Sequence, residues 1–201
     1  MNLKPDTALG FAFGGAAAVH GFDPEFVTLT ERSDIGCVLV NCAFDVKDVA
    51  SSVGSALGLA LPSDAVVATG KGNIFALWLT PRSWLIHCPV AEEFAIITRI
   101  NATFPDKRVH ASAFTDYLTW LEIAGKDAHK ILTSGGFVSL EIDGLQIGQA
   151  KRTILASVPV VVVRNAKDRW TLGVERSRTA YFVDFLRQSA KQERGVSLQA
   201  S

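Results

Sequence analysis

Residues 74–88 read Ile-Phe-Ala-Leu-Trp-Leu-Thr-Pro-Arg-Ser-Trp-Leu-Ile-His-Cys. Two apolar runs flank Thr80-Pro81-Arg82-Ser83. Proline fixes its own φ near the value that the second position of a β-turn needs, so the stretch predicts a hairpin. A helix should follow. Pro89 or Val90 opens it, and Glu92 and Glu93 occupy the first turn, where the helix dipole favours acids. Phe94, Ile97, Ile100 and Phe104 form an apolar stripe, and Pro105 closes it. The same pattern returns later. Residues 160–164 and 169–174 pair around Asn165-Ala-Lys-Asp168, and a helix runs from about residue 177 to 191 with Tyr181, Phe182, Phe185 and Leu186 inward. Hairpin-then-helix, used twice, is a weak internal repeat of the split β-α-β kind. It predicts an α+β fold with helices packed on one face of a mostly antiparallel sheet.

The other segments extend this frame. Residues 28–43 alternate roughly between apolar and polar and read as a strand or strand pair, with a possible turn at 33–36. In the helix after them, Asp45 caps and Asp48 stands in the first turn. Val46, Val49, Val53 and Leu57 share one face, and Gly58 ends it. A polar loop then runs through Gly72. Residues 109–124 are strand-like, with Tyr117, Thr119, Leu121 and Ile123 on one face and Leu118, Trp120 and Glu122 on the other. A short helix at 127–133 ends at Gly135-Gly136. Residues 145–164 hold one or two strands, in which Pro159 marks an edge or a bend.

Residues 24–192 read as a single domain, residues 1–23 as an arm that a partner would order, and residues 193–201 as a flexible polar tail. The run ALGFAFGGAAAV at 8–19 matches a secretory signal only in part, because Asp6 spoils its basic start and Gly10, Gly14 and Gly15 weaken its helix. No apolar run reaches the roughly 20 residues of a membrane span. The expectation is a cytoplasmic chain without a membrane partner.

Of the 201 residues, 48% are apolar and 20% charged, which excludes disorder for most of the chain. Lys plus Arg number 20, as do Asp plus Glu. There is no basic surplus or stripe for a nucleic acid. A net charge of zero fits a surface partly covered by partners better than a freely soluble monomer.

The catalytic inventory is sparse. The glycine-containing stretches 10–15 and 70–73 make neither GxGxxG nor GxxxxGK[ST], and GxSxG and HExxH are absent. Cys37, Cys42 and Cys88 lack CxxC spacing and read as small buried side chains in a reducing compartment. His20, His87, His110 and His129 are scattered, so no metal site is expected. His87 and Cys88 are adjacent on a strand and point to opposite faces, which defeats both chelation and a thiol–imidazole pair. Trp78, Trp84, Trp120 and Trp170 lie on predicted strands and read first as core, with an interface as the other possibility. Arg82, Arg152, Arg169, Arg176 and Arg178 stand near strand ends, within reach of a partner or an acidic ligand.

Residues 54–89 contain Leu57-Gly-Leu-Ala-Leu-Pro62 and Ala76-Leu-Trp-Leu-Thr-Pro-Arg-Ser-Trp-Leu85. These resemble the LGLALP turn and ALWLGPDEWLL signature of the gamma subunit of heterotetrameric sarcosine oxidases. Further pieces are similar in order and spacing: Thr30-Glu31-Arg32, LEIAGKDAHKIL at 121–132, QAKRTIL at 149–155 and LGVERSRTAYFVDFL at 172–186. The likeness covers about residues 28–190. It implies the fold of the folate-binding aminomethyltransferases, as in the T-protein of the glycine cleavage system.

The resemblance also implies an accessory role beside larger alpha and beta chains and a small delta chain. Those partners would carry FAD, FMN, NAD and the tetrahydrofolate site, and no catalytic residue is expected in this chain. The complex would oxidise the N-methyl group of sarcosine to give glycine, a one-carbon unit for folate, and peroxide. The sequence departs from the pattern at Ser112-Ala-Phe114, Gly135-Gly-Phe137 and Thr80-Pro-Arg-Ser83, which leaves open N-methylglutamate or dimethylglycine as substrate. A stand-alone folate-binding protein is the other reading. It would need an acid for the pterin and an arginine, and Asp116, Glu175 and Arg176 are its candidates. Arg82, Trp84 and Arg178 are the interface candidates.

Overall fold

The computed structural model describes residues 6–11, 14–43, 48–63, 68–71, 73–106, 108–136 and 144–199. Eleven strands and four helices follow one another among them. They are β1 (Ala16–Ala18), β2 (Thr28–Arg32), β3 (Ile35–Cys42), α1 (Val49–Leu57), β4 (Ala68–Lys71), β5 (Ile74–Thr80), β6 (Ser83–Pro89) and α2 (Glu93–Thr103). Then come β7 (Val109–Ala113), β8 (Leu118–Ala124), α3 (Ala128–Ser134), β9 (Ala150–Leu155), β10 (Val158–Ala166), β11 (Arg169–Glu175) and α4 (Thr179–Gln199). The sequence reading drew one domain over 24–192. The contacts divide the chain into two compact units, Met1–Ser33 with Thr119–Ser201, and Asp34–Leu118.

In the second unit the sheet order is β4-β5-β6-β3-β7, and all four neighbouring pairs are antiparallel. The predicted hairpin is present, with Trp78 opposite Trp84 and Thr80 opposite Ser83. One face of this sheet presents Val38, Val40, Ala76, Trp84, Ile86, Cys88, Val109 and Ala111. These pack with Val49, Val53 and Leu57 of α1 and Ile96 and Ile100 of α2 into one buried cluster. Gly58 ends α1 in the left-handed conformation, as expected, and Leu59 N–H reaches back to Gly54 O.

Several expectations for this unit need correcting. Asp48 is not in the first turn of α1; it precedes the helix at φ 54, its carbonyl accepts from Ser52 N–H, and its side chain makes no cap hydrogen bond. Asp45 and Val46 lie outside the described residues. The polar loop before Gly72 contains β4, a short strand on β5 whose Ala-Thr-Gly-Lys sequence carries no apolar alternation. In α2 Ile96 and Ile100 are buried and Ile97 and Phe104 pack against the cluster, Glu93 bonds Thr115, and Phe94 alone of the expected stripe stands out, 80% exposed. A three-residue 3-10 turn, Val90–Glu92, precedes the helix, so its register is set by Glu93 and Phe94 falls about 100° away.

In the first unit the sheet order is β9-β10-β11-β8-β2-β1. The second expected hairpin is present, with residues 160–163 opposite 171–174, but β10 runs on to Ala166 opposite Arg169 past an irregularity after Arg164, so the turn is shorter than 165–168. Pro159 lies in an interior strand, not on an edge. It faces Ile154 of β9, and the β10–β11 ladder begins one residue later, so its missing N–H removes no bond on that side. Trp120, Trp170, Leu172, Ile131, Leu132, Phe182 and Leu186 are buried, whereas Tyr181 is 57% exposed and not inward. α4 continues to Gln199, through the residues read as a flexible tail, because Lys191-Gln-Glu-Arg194 are good helix formers and a single Gly195 does not stop a helix. Part of the expected arm is built into this unit's own sheet: β1 pairs Ala16–Ala18 against Thr30–Arg32.

The repeat runs deeper than two hairpins. The second unit comprises β3-α1-β4-β5-β6-α2 with β7 beside β3, and the first comprises β8-α3-β9-β10-β11-α4 with β2 beside β8. Five strands of each sheet correspond in order, β9-β10-β11-β8-β2 with β4-β5-β6-β3-β7, and β1 is an addition at the edge of the first. The consecutive strands β2 and β3 therefore enter different sheets, and so do β7 and β8. Residues 28–43 are not a hairpin, and Tyr117 sits in a 3-10 turn between β7 and β8 and not on a strand face.

Candidate functional site

The residues singled out by sequence fall in both units. In the first, β11 ends at Glu175, and a 3-10 turn, Arg176–Arg178, leads into α4. Glu175 serves this junction. Its Oε1 accepts from Ser177 Oγ at 2.6 Å, its Oε2 pairs with Arg178 Nε at 3.5 Å, and its carbonyl accepts from Thr179 Oγ1. Arg176 points elsewhere and donates through Nη2 to the carbonyl of Asp6 at 2.5 Å. Arg178 is about half exposed.

Arg176 belongs to a second group that sequence reasoning did not single out. Glu31 of β2 is buried, and its Oε2 accepts from Thr7 Oγ1 at 2.7 Å. The backbone N–H groups of Ala8 and Leu9 also reach the carboxylate. Thr7 closes the loop over it, with its N–H donating to Phe11 O and its Oγ1 accepting from Phe11 N–H. Burial raises the pKa of Glu31 above the usual carboxylate value. The hydrogen bonds from Thr7 and the backbone, and the Arg176 charge, act against that rise. The group fastens residues 6–11 to their own unit.

A cleft of about 390 Å³ opens between the loop before β2 and helices α3 and α4, with Phe22, Phe26, Ile131 and Ala190 among its walls. Asp23 organises the loop: its Oδ1 accepts from Glu25 N–H, and its carbonyl from Phe26 and Val27 N–H. Arg194 pairs with Asp23 at 3.1 Å and lies 5.5 Å from the Phe26 ring, which Lys126 Nζ also approaches to 4.2 Å. Asp127 is held by Lys130 at 2.8 Å. With its carboxylates already paired, the cleft offers aromatic and aliphatic walls and no poised acid or base.

In the second unit Asp116 is exposed in the 3-10 turn Thr115–Tyr117. Arg82 folds back from the hairpin turn and donates to Ala43 O at 2.8 Å and to Cys42 Sγ at 3.8 Å. Trp84 is a core residue, 5% exposed, with its indole N–H donating to Pro62 O at 2.8 Å. Cys88 lies in the buried cluster, while His87 points to the opposite face and stacks on Phe75 at 3.9 Å. Burial, and then the nearby Glu93 and Glu92 carboxylates, push the Cys88 thiol up to about 12. At neutral pH it is a thiol and not a nucleophile. None of the three cysteines is in a disulfide. No group of three metal-ligating side chains occurs among the described residues.

The three folate-pocket candidates each have a local setting. Glu175 is satisfied by its neighbours, Arg176 is engaged with Asp6, and Asp116 is a solvated turn residue of the other unit.

Comparison with known proteins bears on what such a chain is. Direct comparison with curated protein sequences found no match. Among solved structures the chain is similar to one in the heterotetrameric sarcosine oxidase from Corynebacterium sp. U-96. The TM-score is 0.76 at 20% identity, over 83% of this chain and 84% of that one. It is also similar to the glycine cleavage system aminomethyltransferase T from Bartonella henselae, with a TM-score of 0.56 at 10% identity. That match covers 87% of this chain and 46% of the other, so the chain spans about half the length of the aminomethyltransferase. At such identities both structures speak for the α+β fold alone. The model of the sarcosine oxidase gamma subunit family matches residues 42–193, well over half of the sequence. The chain belongs to the sarcosine oxidase gamma subunit family.

Proposed function

We propose that the chain is the accessory gamma subunit of a flavin-dependent, heterotetrameric oxidase of N-methyl amines, with sarcosine as the first substrate to test. The observation that carries the reading is the family match over residues 42–193. In this reading alpha, beta and small delta subunits are the partners, and the complex works in the cytoplasm. FAD, FMN, NAD and tetrahydrofolate are held by the partners. Sarcosine is oxidised at its N-methyl group to glycine, the one-carbon unit passes to tetrahydrofolate, and peroxide is released. This chain contributes surface, not chemistry.

Two features support the division of labour. The side chains best suited to acid–base or nucleophilic work are committed to the fold: Cys88 as a buried thiol, Glu175 at the start of α4, and Glu31 under residues 6–11. The candidates for a stand-alone folate site are engaged or solvated in the same way, which disfavours that alternative.

Calorimetry of the isolated chain with tetrahydrofolate separates the two readings. The subunit reading expects no saturable heat, and one-to-one binding in the micromolar range would overturn it. Turnover of the assembled complex with sarcosine, dimethylglycine and N-methylglutamate then assigns the amine, and sarcosine is expected to give the highest kcat/KM.

A further inference from the structure

The start of α2 carries a surface that the fold does not require. Phe94 is 80% exposed, the largest exposure among the described large apolar side chains. Tyr117 is 50% exposed, and its ring lies 4.6 Å from that of Phe114. One carboxylate ties the elements bearing these rings together. Glu93 Oε1 accepts from Thr115 Oγ1 at 2.7 Å and from the N–H groups of Phe114 and Thr115. Thr115 Oγ1 in turn accepts from Cys37 N–H at 2.8 Å, and Phe114 N–H donates to Cys37 O. Gly36 lets Val90 and Thr115 approach β3, since a Cβ there would lie 2.8 Å from Val90 Cα. The exposed rings therefore sit on a turn and a helix start already fixed by hydrogen bonds, and presenting them costs little further ordering.

Two more carboxylates lie on the same pair of segments. Glu92 and Asp116 are exposed, and neither has an ion pair among the described residues. Acids in the first turn of a helix are expected from its dipole, which accounts for Glu92. The dipole does not account for Phe94, nor for Asp116 beside Tyr117. Aromatic rings next to unpaired carboxylates suit an arginine or lysine, whose stem lies along the rings and whose charged head meets the acids. We propose that the face carrying Phe94, Phe114 and Tyr117, with Glu92 and Asp116 at its margin, seats a basic segment of a partner subunit. This rests on the subunit reading above and names the surface it lacked.

The test uses the full chain, tagged and expressed together with the flavoprotein chains of its source. Phe94→Ser and the pair Glu92→Lys with Asp116→Lys are each expected to lower the recovered flavoprotein about tenfold, as loss of an interface anchor does. Lys167→Glu, in the β10–β11 turn of the other unit, should recover as much as the unaltered chain. The unaltered complex should also release its partner more readily as salt rises. That measurement stands even where a variant fails to fold. Full recovery by both variants, or a complex indifferent to salt, overturns the proposal. If Phe94→Ser instead abolishes self-association of the isolated chain while leaving flavoprotein recovery intact, the occupant is a second copy and the proposal fails. An unaltered chain that recovers no flavoprotein overturns the subunit reading itself.

Discussion

Glu31 shows how one side chain sets the behaviour of a segment. A carboxylate whose folded pKa is raised favours the folded state most when protonated. Its contribution is full below the ordinary carboxylate pKa and is lost as pH rises through the raised value. Thermal unfolding of the Glu31→Gln variant should thus show a flatter pH dependence just above the carboxylate range than the unaltered chain. An unchanged profile would mean that burial of Glu31 does not control the docking of residues 6–11. The cysteines give a second check. Cys37 and Cys88 are buried and Cys42 is half-buried, so iodoacetamide should label Cys42 first in the native chain and the other two only on unfolding. At this scale the sequence was legible where neighbours decide the outcome: adjacent strand positions send His87 and Cys88 to opposite faces. It was not legible where distant residues meet. Glu175 is of the type that could bind a ligand, and only the contacts with Ser177 and Arg178 reveal that its carboxylate is engaged at the junction into α4. A strand Trp suits core or interface alike by sequence, and it is the burial of Trp84 and its bond to Pro62 O that make it core.

Elements were read well where the signal was local. Both hairpins, the Gly58 stop and the short helix after Gly125 follow from turn chemistry and apolar spacing. Gly125 is the sharpest case. At φ +127 it occupies a conformation that other residues avoid, and a Cβ would lie 2.8 Å from Val27 Cα and closer still to Phe26 O. Gly125→Ala is expected to cost about 3 kcal/mol of stability, measurable by urea unfolding, because strain and clash act together. A loss under about 1 kcal/mol would show that the loop before β2 yields easily. The failures have one cause, tertiary register. α2 starts after a 3-10 turn, which rotates Phe94 out of the apolar stripe. The strand-like stretches 28–43 and 109–124 each divide between two sheets, because β2 pairs with β8 and β7 with β3. Alternation along a strand says that one face is buried, but it does not say which partner the strand takes.

On the scale of the whole molecule, the repeat and the family agree. The correspondence of β3-α1-β4-β5-β6-α2 with β8-α3-β9-β10-β11-α4 gives two units with one plan. The proposal of an accessory role rests on the family match over residues 42–193. No helix among those residues is long and apolar enough to cross a membrane. Native mass spectrometry of the chain, expressed with the flavoprotein chains of its source, tests this account most directly. The account predicts a single hetero-oligomer in which this chain is present in fixed stoichiometry with the flavin-bearing subunits. A chain found only by itself, with the flavoproteins assembled and active without it, would contradict it.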